Sequence, residues 1–343
     1  MTGSKDKMRR TWLAVVTAVS LTLVPVQAAA MRSACPAPPS AVRDLDVPGY
    51  YRDARKSVVE PRALAARRAA VAPLHAFLDT VTRFADGAAS GSDRRRSINA
   101  SCALNWLGQW AEAGAYLGDM ANKQAEAQRR WDLAGLALAY LKVRRSASPG
   151  ERRSIEPWLR DIADRDRALF DDPGRQRNNH WYWLGLGHGG VGAAVQSARH
   201  WAVARRVMED AADHVAGDGV LSLEIKRGQR ALHYHAFAAQ ALVLLAEIAA
   251  AKGEDWYRLG DGALHRLVNV TATGLADPAL FARHAGIVQE RPVNPRAGWL
   301  QLYDLRFPGR LPPDLTFGSR RGRRIGGDAL VLRAVLGKLE RTR

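Results

Sequence analysis

Apolar residues recur at three- and four-residue spacing through 61–84, 99–117, 123–143, 151–167, 198–215, 229–252 and 327–341, the period of helices that bury one face. Short Gly, Pro, Ser and Asp clusters such as Ser148-Pro149-Gly150 and Gly217-Asp218-Gly219 punctuate these runs and read as helix boundaries. No convincing series of strands appears, so the predicted class is all-α, built from antiparallel helix pairs. Residues 29–58, rich in Pro and Tyr, read as an N-terminal arm and candidate lid. The segment 286–326, with Pro292, Pro295, Pro308, Pro312 and Pro313, reads as irregular chain packed on the helices. No boundary divides residues 59–343, which are expected to form one domain.

The first 28 residues stand apart from this pattern. Lys5, Lys7, Arg9 and Arg10 precede an apolar run from Thr11 to Val24 and a small-residue site at Val26-Gln27-Ala28, the form of a secretory signal peptide. The run is shorter than the ~20 residues of a membrane span, and no later stretch is long or apolar enough to serve. The expected location is therefore periplasmic or secreted, with no membrane association after cleavage. An oxidising compartment lets Cys35 and Cys102, the two cysteines of the chain, form one disulfide. Such a bridge would pin the arm and contribute about 4 kcal/mol in the chain-entropy treatment.

Charge narrows the partners. The sequence has 51 Lys and Arg against 34 Asp and Glu, a formal charge of +17 that becomes +14 once residues 1–28 are removed. A polyanion would be drawn to such a chain. Nucleic acid is disfavoured, because no helix-turn-helix, finger or single-strand-binding signature is present and the chain is expected to be exported. An acidic polysaccharide satisfies both observations, while the bland alternative is an evenly solvated basic surface.

Two segments concentrate chemistry. Asn178-Asn179-His180-Trp181-Tyr182-Trp183 places two carboxamides, an imidazole and three aromatic rings in six residues, a set whose polar groups all need partners if buried. Further on, Arg227 and Tyr234 are seven residues apart, close to two helical turns, and are expected on one face. Other motifs carry less. Gly185, Gly187, Gly189, Gly190 and Gly192 resemble a phosphate loop, but no strand precedes them and no lysine follows, so close helix packing is the expectation. His233 and His235, two apart on a helix, point different ways and are expected to be one cleft-facing and one core-facing ring rather than joint metal ligands. No metal site or cofactor is implied.

Together with Asn122-Lys123-Gln124, Arg130-Trp131, Cys102-Ala103-Leu104-Asn105-Trp106, Trp110-Ala111-Glu112-Ala113-Gly114-Ala115 and Gly326-Gly327-Asp328, these segments resemble the periplasmic alginate lyases with a helical toroid fold. The resemblance runs over most of the chain after the leader, in the family's order. It implies an α/α-barrel, an incomplete toroid of antiparallel helix pairs, and β-elimination of a uronate polymer such as poly-mannuronate. By implication Asn179, His180, Arg227 and Tyr234 form the catalytic set and Trp183 helps line the sugar subsites. Asn178, Trp181, Tyr182, Lys123, Arg230 and Tyr51 are further candidates for substrate contact. Exopolysaccharide export machinery is a further partner compatible with the expected location. The family's N-terminal lid is matched only by the shorter, altered Tyr50-Tyr51-Arg52-Asp53-Ala54-Arg55-Lys56, and Trp181 replaces a smaller residue.

The implied chemistry needs such a set. Abstraction of the C5 proton requires the adjoining carboxylate to be neutralised and the developing enediolate stabilised, tasks suited to Asn179, His180 and Arg227. A phenol whose pKa is lowered by Arg227 and His180 could then act as base and acid, and Tyr234 is the candidate. Mannuronate and glucuronate differ at C2, away from this chemistry, so the residues do not separate them. Two other function classes stand beside this one: a non-catalytic polysaccharide-binding or export-scaffold protein, and a glycoside hydrolase using Glu224 with Asp132 or Asp328.

Overall fold

The computed structural model describes residues 35–292 and 298–341; the signal-peptide reading of residues 1–28 lies outside them. Helices α1 (Pro61–Ala70), α2 (Ala72–Ala89), α3 (Asp93–Glu112), α4 (Lys123–Val143), α5 (Pro149–Ala168), α6 (Asn179–Ala194) and α7 (Ala198–His214) precede a single helical turn, Ser222–Ile225. Helices α8 (Ala231–Ala251), α9 (Leu259–Ala276), α10 (Ala279–Ala285), α11 (Gly298–Arg306) and α12 (Ala329–Glu340) complete the helical set.

The helices alternate between an inner and an outer ring. Inner helices α2, α4, α6 and α8 pack side by side in sequence, outer helices α3, α5, α7 and α9 cover them, and α11 and α12 lead from α8 back to α2. The all-α toroid expected from the sequence is therefore the observed fold. Burial follows the rings. Every residue from Ala127 to Val143 of α4 is buried, as are nearly all of α6 and most of α8, whereas outer helices such as α5 and α7 keep a polar face. A helix apolar on all sides belongs between other helices.

The glycines of α6 permit that central position, as the packing argument anticipated. A Cβ on Gly185 would lie 2.5 Å from Val207 of α7, one on Gly189 2.3 Å from Leu245 of α8, and one on Gly190 2.9 Å from Ala137 of α4. Small residues on three sides let three neighbours approach closely.

Several boundaries depart from the sequence expectation. The run 61–84 is two helices, broken at Val71 because Pro73 enters the first turn of α2 and has no amide hydrogen to continue the earlier helix. The irregular segment 286–326 contains α11, and α6, α9 and α10 lie outside the expected runs.

The arm is strapped to α3. Cys35 and Cys102 form a disulfide with Cα atoms 5.4 Å apart, and the indole N–H groups of Trp106 and Trp110 donate to the Pro36 and Pro39 carbonyls at 2.7 and 2.9 Å. At the other end of the chain, β1 (Arg321–Gly322) and β2 (Gly327–Asp328) pair antiparallel. The buried Lys142 ammonium donates to Asp86 at 2.5 Å and to the Gly326 carbonyl at 2.7 Å, fixing this hairpin against α2 and α4.

Candidate active site

A cleft of about 750 Å³ opens at one end of the ring. Its floor is formed by the first turns of the inner helices: Val71 and His75 beside the start of α2, Lys123 and Gln124 of α4, Asn179 and His180 of α6, His233 and Tyr234 of α8, and Trp299 of α11. All five helices therefore direct their amino ends, the positive poles of their dipoles, at one space. Arg67, Arg130, Arg175, Arg227, Arg230 and Arg324 add guanidinium groups to its lining. The field in the cleft suits an anion.

Asn178 caps α6, its carboxamide oxygen accepting from the His180 amide at 3.0 Å. The cap fixes where the next two side chains emerge. Asn179 donates through its backbone N–H and its Nδ2 to Glu224 Oε1, at 2.7 and 2.9 Å. Its Oδ1 is buried with no hydrogen-bond partner among the described residues. The same carboxylate takes the Nε–H of Arg227 at 3.4 Å through its other oxygen. Glu224 is completely buried; burial pushes its pKa above the usual carboxylate range, against the opposing pull of Arg227 and Asn179.

His180 lies parallel to Trp131, with ring centroids 5.7 Å apart, and its Nδ1 is 3.3 Å from Arg130 Nη1. A guanidinium has only hydrogens to offer. Nδ1 must therefore accept, which leaves the ring neutral with its hydrogen on Nε2. Burial, followed by the charges of Arg130 and Arg227, holds the His180 pKa well below the usual imidazole range. Arg130 is itself clamped by Asp166 through two bonds of 2.9 and 2.8 Å.

The Arg227 guanidinium sits over the Tyr234 ring, 4.9 Å from its centroid. The two are neighbours, but not on one helix: Gly228 takes a left-handed backbone, φ +57°, and Gly228–Arg230 form a 3₁₀ turn before α8 begins at Ala231. The Tyr234 hydroxyl donates to Tyr51 at 3.1 Å, with the Lys56 carbonyl at 3.4 Å. Burial pushes its pKa up to about 12, although Tyr51, Arg227 and Arg230 pull the other way. The expectation of a lowered phenol pKa is thus reversed, because desolvation of the phenolate outweighs the nearby cations.

Tyr51 comes from the arm. The Asp53 carboxylate ties the loop by accepting from the amides of Ser57 and Val58 at 2.9 and 2.7 Å, and Arg230 donates to the Tyr51 hydroxyl at 3.0 Å. The loop thereby closes over Tyr234.

Eight of the residues singled out in the sequence meet on this cleft: Asn178, Asn179, His180, Arg227, Arg230, Tyr234, Lys123 and Tyr51. Trp181, Tyr182 and Trp183 do not. The Trp181 indole donates to Asp210 at 3.1 Å, the Tyr182 hydroxyl meets His214 Nδ1 at 3.0 Å, and the Trp183 indole donates to the Phe237 carbonyl at 3.1 Å. All three are buried, because they point from α6 toward the neighbouring α7 and α8 rather than into the cleft. The aromatic side chains that line the cleft are instead Tyr50, Tyr51, Trp131, Tyr234, Phe237 and Trp299. The sequence signal for Trp131 is the family-like Arg130-Trp131 pair. The H-x-H pair splits as expected: His233 lines the cleft, while His235 is buried and accepts from the Leu221 amide at 2.9 Å.

The hydrolase carboxylates are not opposed across the cleft. Glu224 lies beneath Asn179, Asp132 is buried under Gln128 and Tyr116, and Asp328 caps α12 while pairing with Arg320.

The sequence matches the alginate lyase family over residues 44–281. The chain belongs to that family. A polysaccharide lyase of Stenotrophomonas maltophilia (strain K279a) is 39% identical over 305 residues, which cover 88% of this chain and 91% of the relative. An alginate lyase of Azotobacter vinelandii is 31% identical over 292 residues, 80% of this chain and 77% of its own length. Among solved structures, alginate lyase A1-III from Sphingomonas species A1 superposes with a TM-score of 0.73 at 23% identity, covering 87% of this chain and 85% of that one. A variant of alginate lyase A1-III complexed with tetrasaccharide gives a TM-score of 0.76 at 22% identity, over 88% and 86% of the two chains. These superpositions concern the fold. The alginate lyase match ends before Trp299 and Arg324, so part of the cleft is built by residues outside the matched segment.

Proposed function

We propose that the protein is a polysaccharide lyase that cleaves a uronate polymer, alginate in its mannuronate-rich form, by β-elimination. The observation that carries this reading is the convergence of a neutral imidazole, a carboxamide, a guanidinium and a phenol on a cationic cleft at the ends of five helices. The uronate carboxylate would accept from the second Nδ2 hydrogen of Asn179, from His180 Nε2–H and from Arg227, which together offset its charge and hold the enediolate that forms at C6. Tyr234, as phenolate, takes the C5 proton. The C4–O4 bond then breaks, the C4–C5 double bond forms, and the departing O4 receives the proton that Tyr234 has just gained.

One phenol performs both transfers only if C5–H and O4 lie on the same side of the ring, as they do in mannuronate and glucuronate. In guluronate, the C5 epimer, the proton faces the other way. His180 is an unsuitable base for that face because Arg130 occupies its acceptor nitrogen. Mannuronan is therefore the favoured polymer over guluronan. The leader-like residues 1–28, the disulfide and the acidic polymer together support a periplasmic or secreted site of action.

The test is to incubate the purified protein with mannuronan, guluronan, polyglucuronate and a neutral glucan while following the ultraviolet absorbance of an unsaturated uronate. The reading expects absorbance with mannuronan and much less with guluronan. Reducing ends without absorbance would make the protein a hydrolase, and binding with neither would make it a non-catalytic binder.

A further inference from the structure

Glu224 occupies a position that the elimination chemistry leaves unassigned. It stands on the single turn Ser222–Ile225, fully buried, and its carboxylate hydrogen-bonds two groups of the cleft lining, Asn179 and Arg227. One oxygen takes both N–H groups of Asn179, and the other takes Nε of Arg227. A carboxylate only accepts. The Asn179 amide is therefore locked with Nδ2 toward Glu224, which explains why its Oδ1 is left without a donor. Likewise Arg227 is held from its Nε edge, so its outer Nη groups face the Arg55 carbonyl, 3.5 Å away, and the Tyr234 ring.

We propose that Glu224 is a positioning residue: it aligns the Asn179 carboxamide and the Arg227 guanidinium as one unit for the substrate carboxylate. Resting on the lyase reading above, this adds a group that acts through two others and does not itself touch the sugar. Its negative charge also opposes that of Arg227, so the pair has no net charge of its own. Losing Glu224 should consequently impair the chemical step more than capture of the polymer. A Gln at this position keeps the size and one acceptor oxygen but presents an amide hydrogen where Arg227 Nε–H or Asn179 needs an acceptor.

The experiment is a kinetic double-mutant cycle on mannuronan with Glu224→Gln, Asn179→Ala and the double variant, each checked by circular dichroism and thermal melting. Glu224→Gln should lower kcat by about 10- to 100-fold, the scale of a misaligned reacting group, with KM unchanged or lower. In the Asn179→Ala background the same change should have a much smaller effect, because one of the groups it aligns is already gone. A folded Glu224→Gln enzyme with kcat near the parent's, or a loss of the same factor in both backgrounds, would overturn the proposal. Should Glu224→Gln fail to fold, Glu224→Asp, which keeps the charge and shortens its reach, carries the same readouts; failure of both to fold would assign Glu224 to folding instead. A parent enzyme inactive on every uronate polymer would refute the lyase reading, an outcome distinct from any of these.

Discussion

At the scale of single residues, the ionisation states of Tyr234 and His180 decide how elimination can proceed. Burial pushes the Tyr234 pKa up to about 12, so at neutral pH the phenol holds its proton, and the phenolate population rises tenfold with each unit of pH. A base with a raised pKa is strong but scarce. The expected consequence is a kcat/KM that climbs with pH through about 6–9, with a logarithmic slope approaching one, measured on mannuronan at constant ionic strength. A profile that falls on the alkaline side of neutrality would place proton abstraction elsewhere. That Asn179, His180, Arg227 and Tyr234 share one cleft was legible in the sequence, because such groups are costly to bury without partners. Their ionisation was not. The sign of the Tyr234 shift depends on how completely Tyr51 and Lys56 cover the phenol, and those contacts join residues 178 and more positions apart.

Helix by helix, what was legible followed amphipathic patterning. Helices with a polar face, such as α5 and α7, emerge from the three- and four-residue period, and the central α4 does so through its length. The segment of α6 lacks a polar face, is interrupted by five glycines and borders a motif-like cluster, so its helical nature was hidden. The same concealment explains why Trp181, Tyr182 and Trp183 read as sugar-contacting rings in the sequence: nothing local records that they pack against α7 and α8. Gly192 tests this packing. A methyl group there would lie 2.9 Å from the Trp201 amide nitrogen and 3.1 Å from its Cα, backbone atoms that cannot swing aside. Gly192→Ala should thus destabilise the protein by about 1–3 kcal/mol through overpacking, read from denaturant unfolding, even though alanine favours helix. A neutral or stabilising result would mean that α6 and α7 pack less closely than described.

For the whole molecule, the toroid converts an unremarkable excess of basic residues into a directed field. The four inner helices and α11 bring their amino ends to one cleft, and the Lys123 ammonium joins the guanidinium groups of Arg227, Arg230 and other arginines there. The +14 charge after residue 28 gave the sign of the partner, but only the ring geometry gives its direction. Capture of a polyuronate should weaken as salt rises, since exposed charges are screened over roughly 10 Å at 0.1 M. The expected observation is a steep fall of kcat/KM for mannuronan across a salt series, with kcat less affected. A flat series would remove electrostatic steering while leaving the catalytic groups in place.

The central claim is that the phenol of Tyr234 moves the proton in an elimination reaction. Its most direct test is Tyr234→Phe, which removes one hydroxyl and keeps the ring beneath Arg227. Turnover of mannuronan, followed by ultraviolet absorbance, should fall by about 10²–10⁴-fold or more, the usual contribution of general acid–base catalysis, while the dissociation constant for the polymer, measured by calorimetry, stays within a few-fold of the parent. A variant that turns over mannuronan at nearly the parental rate would contradict the account.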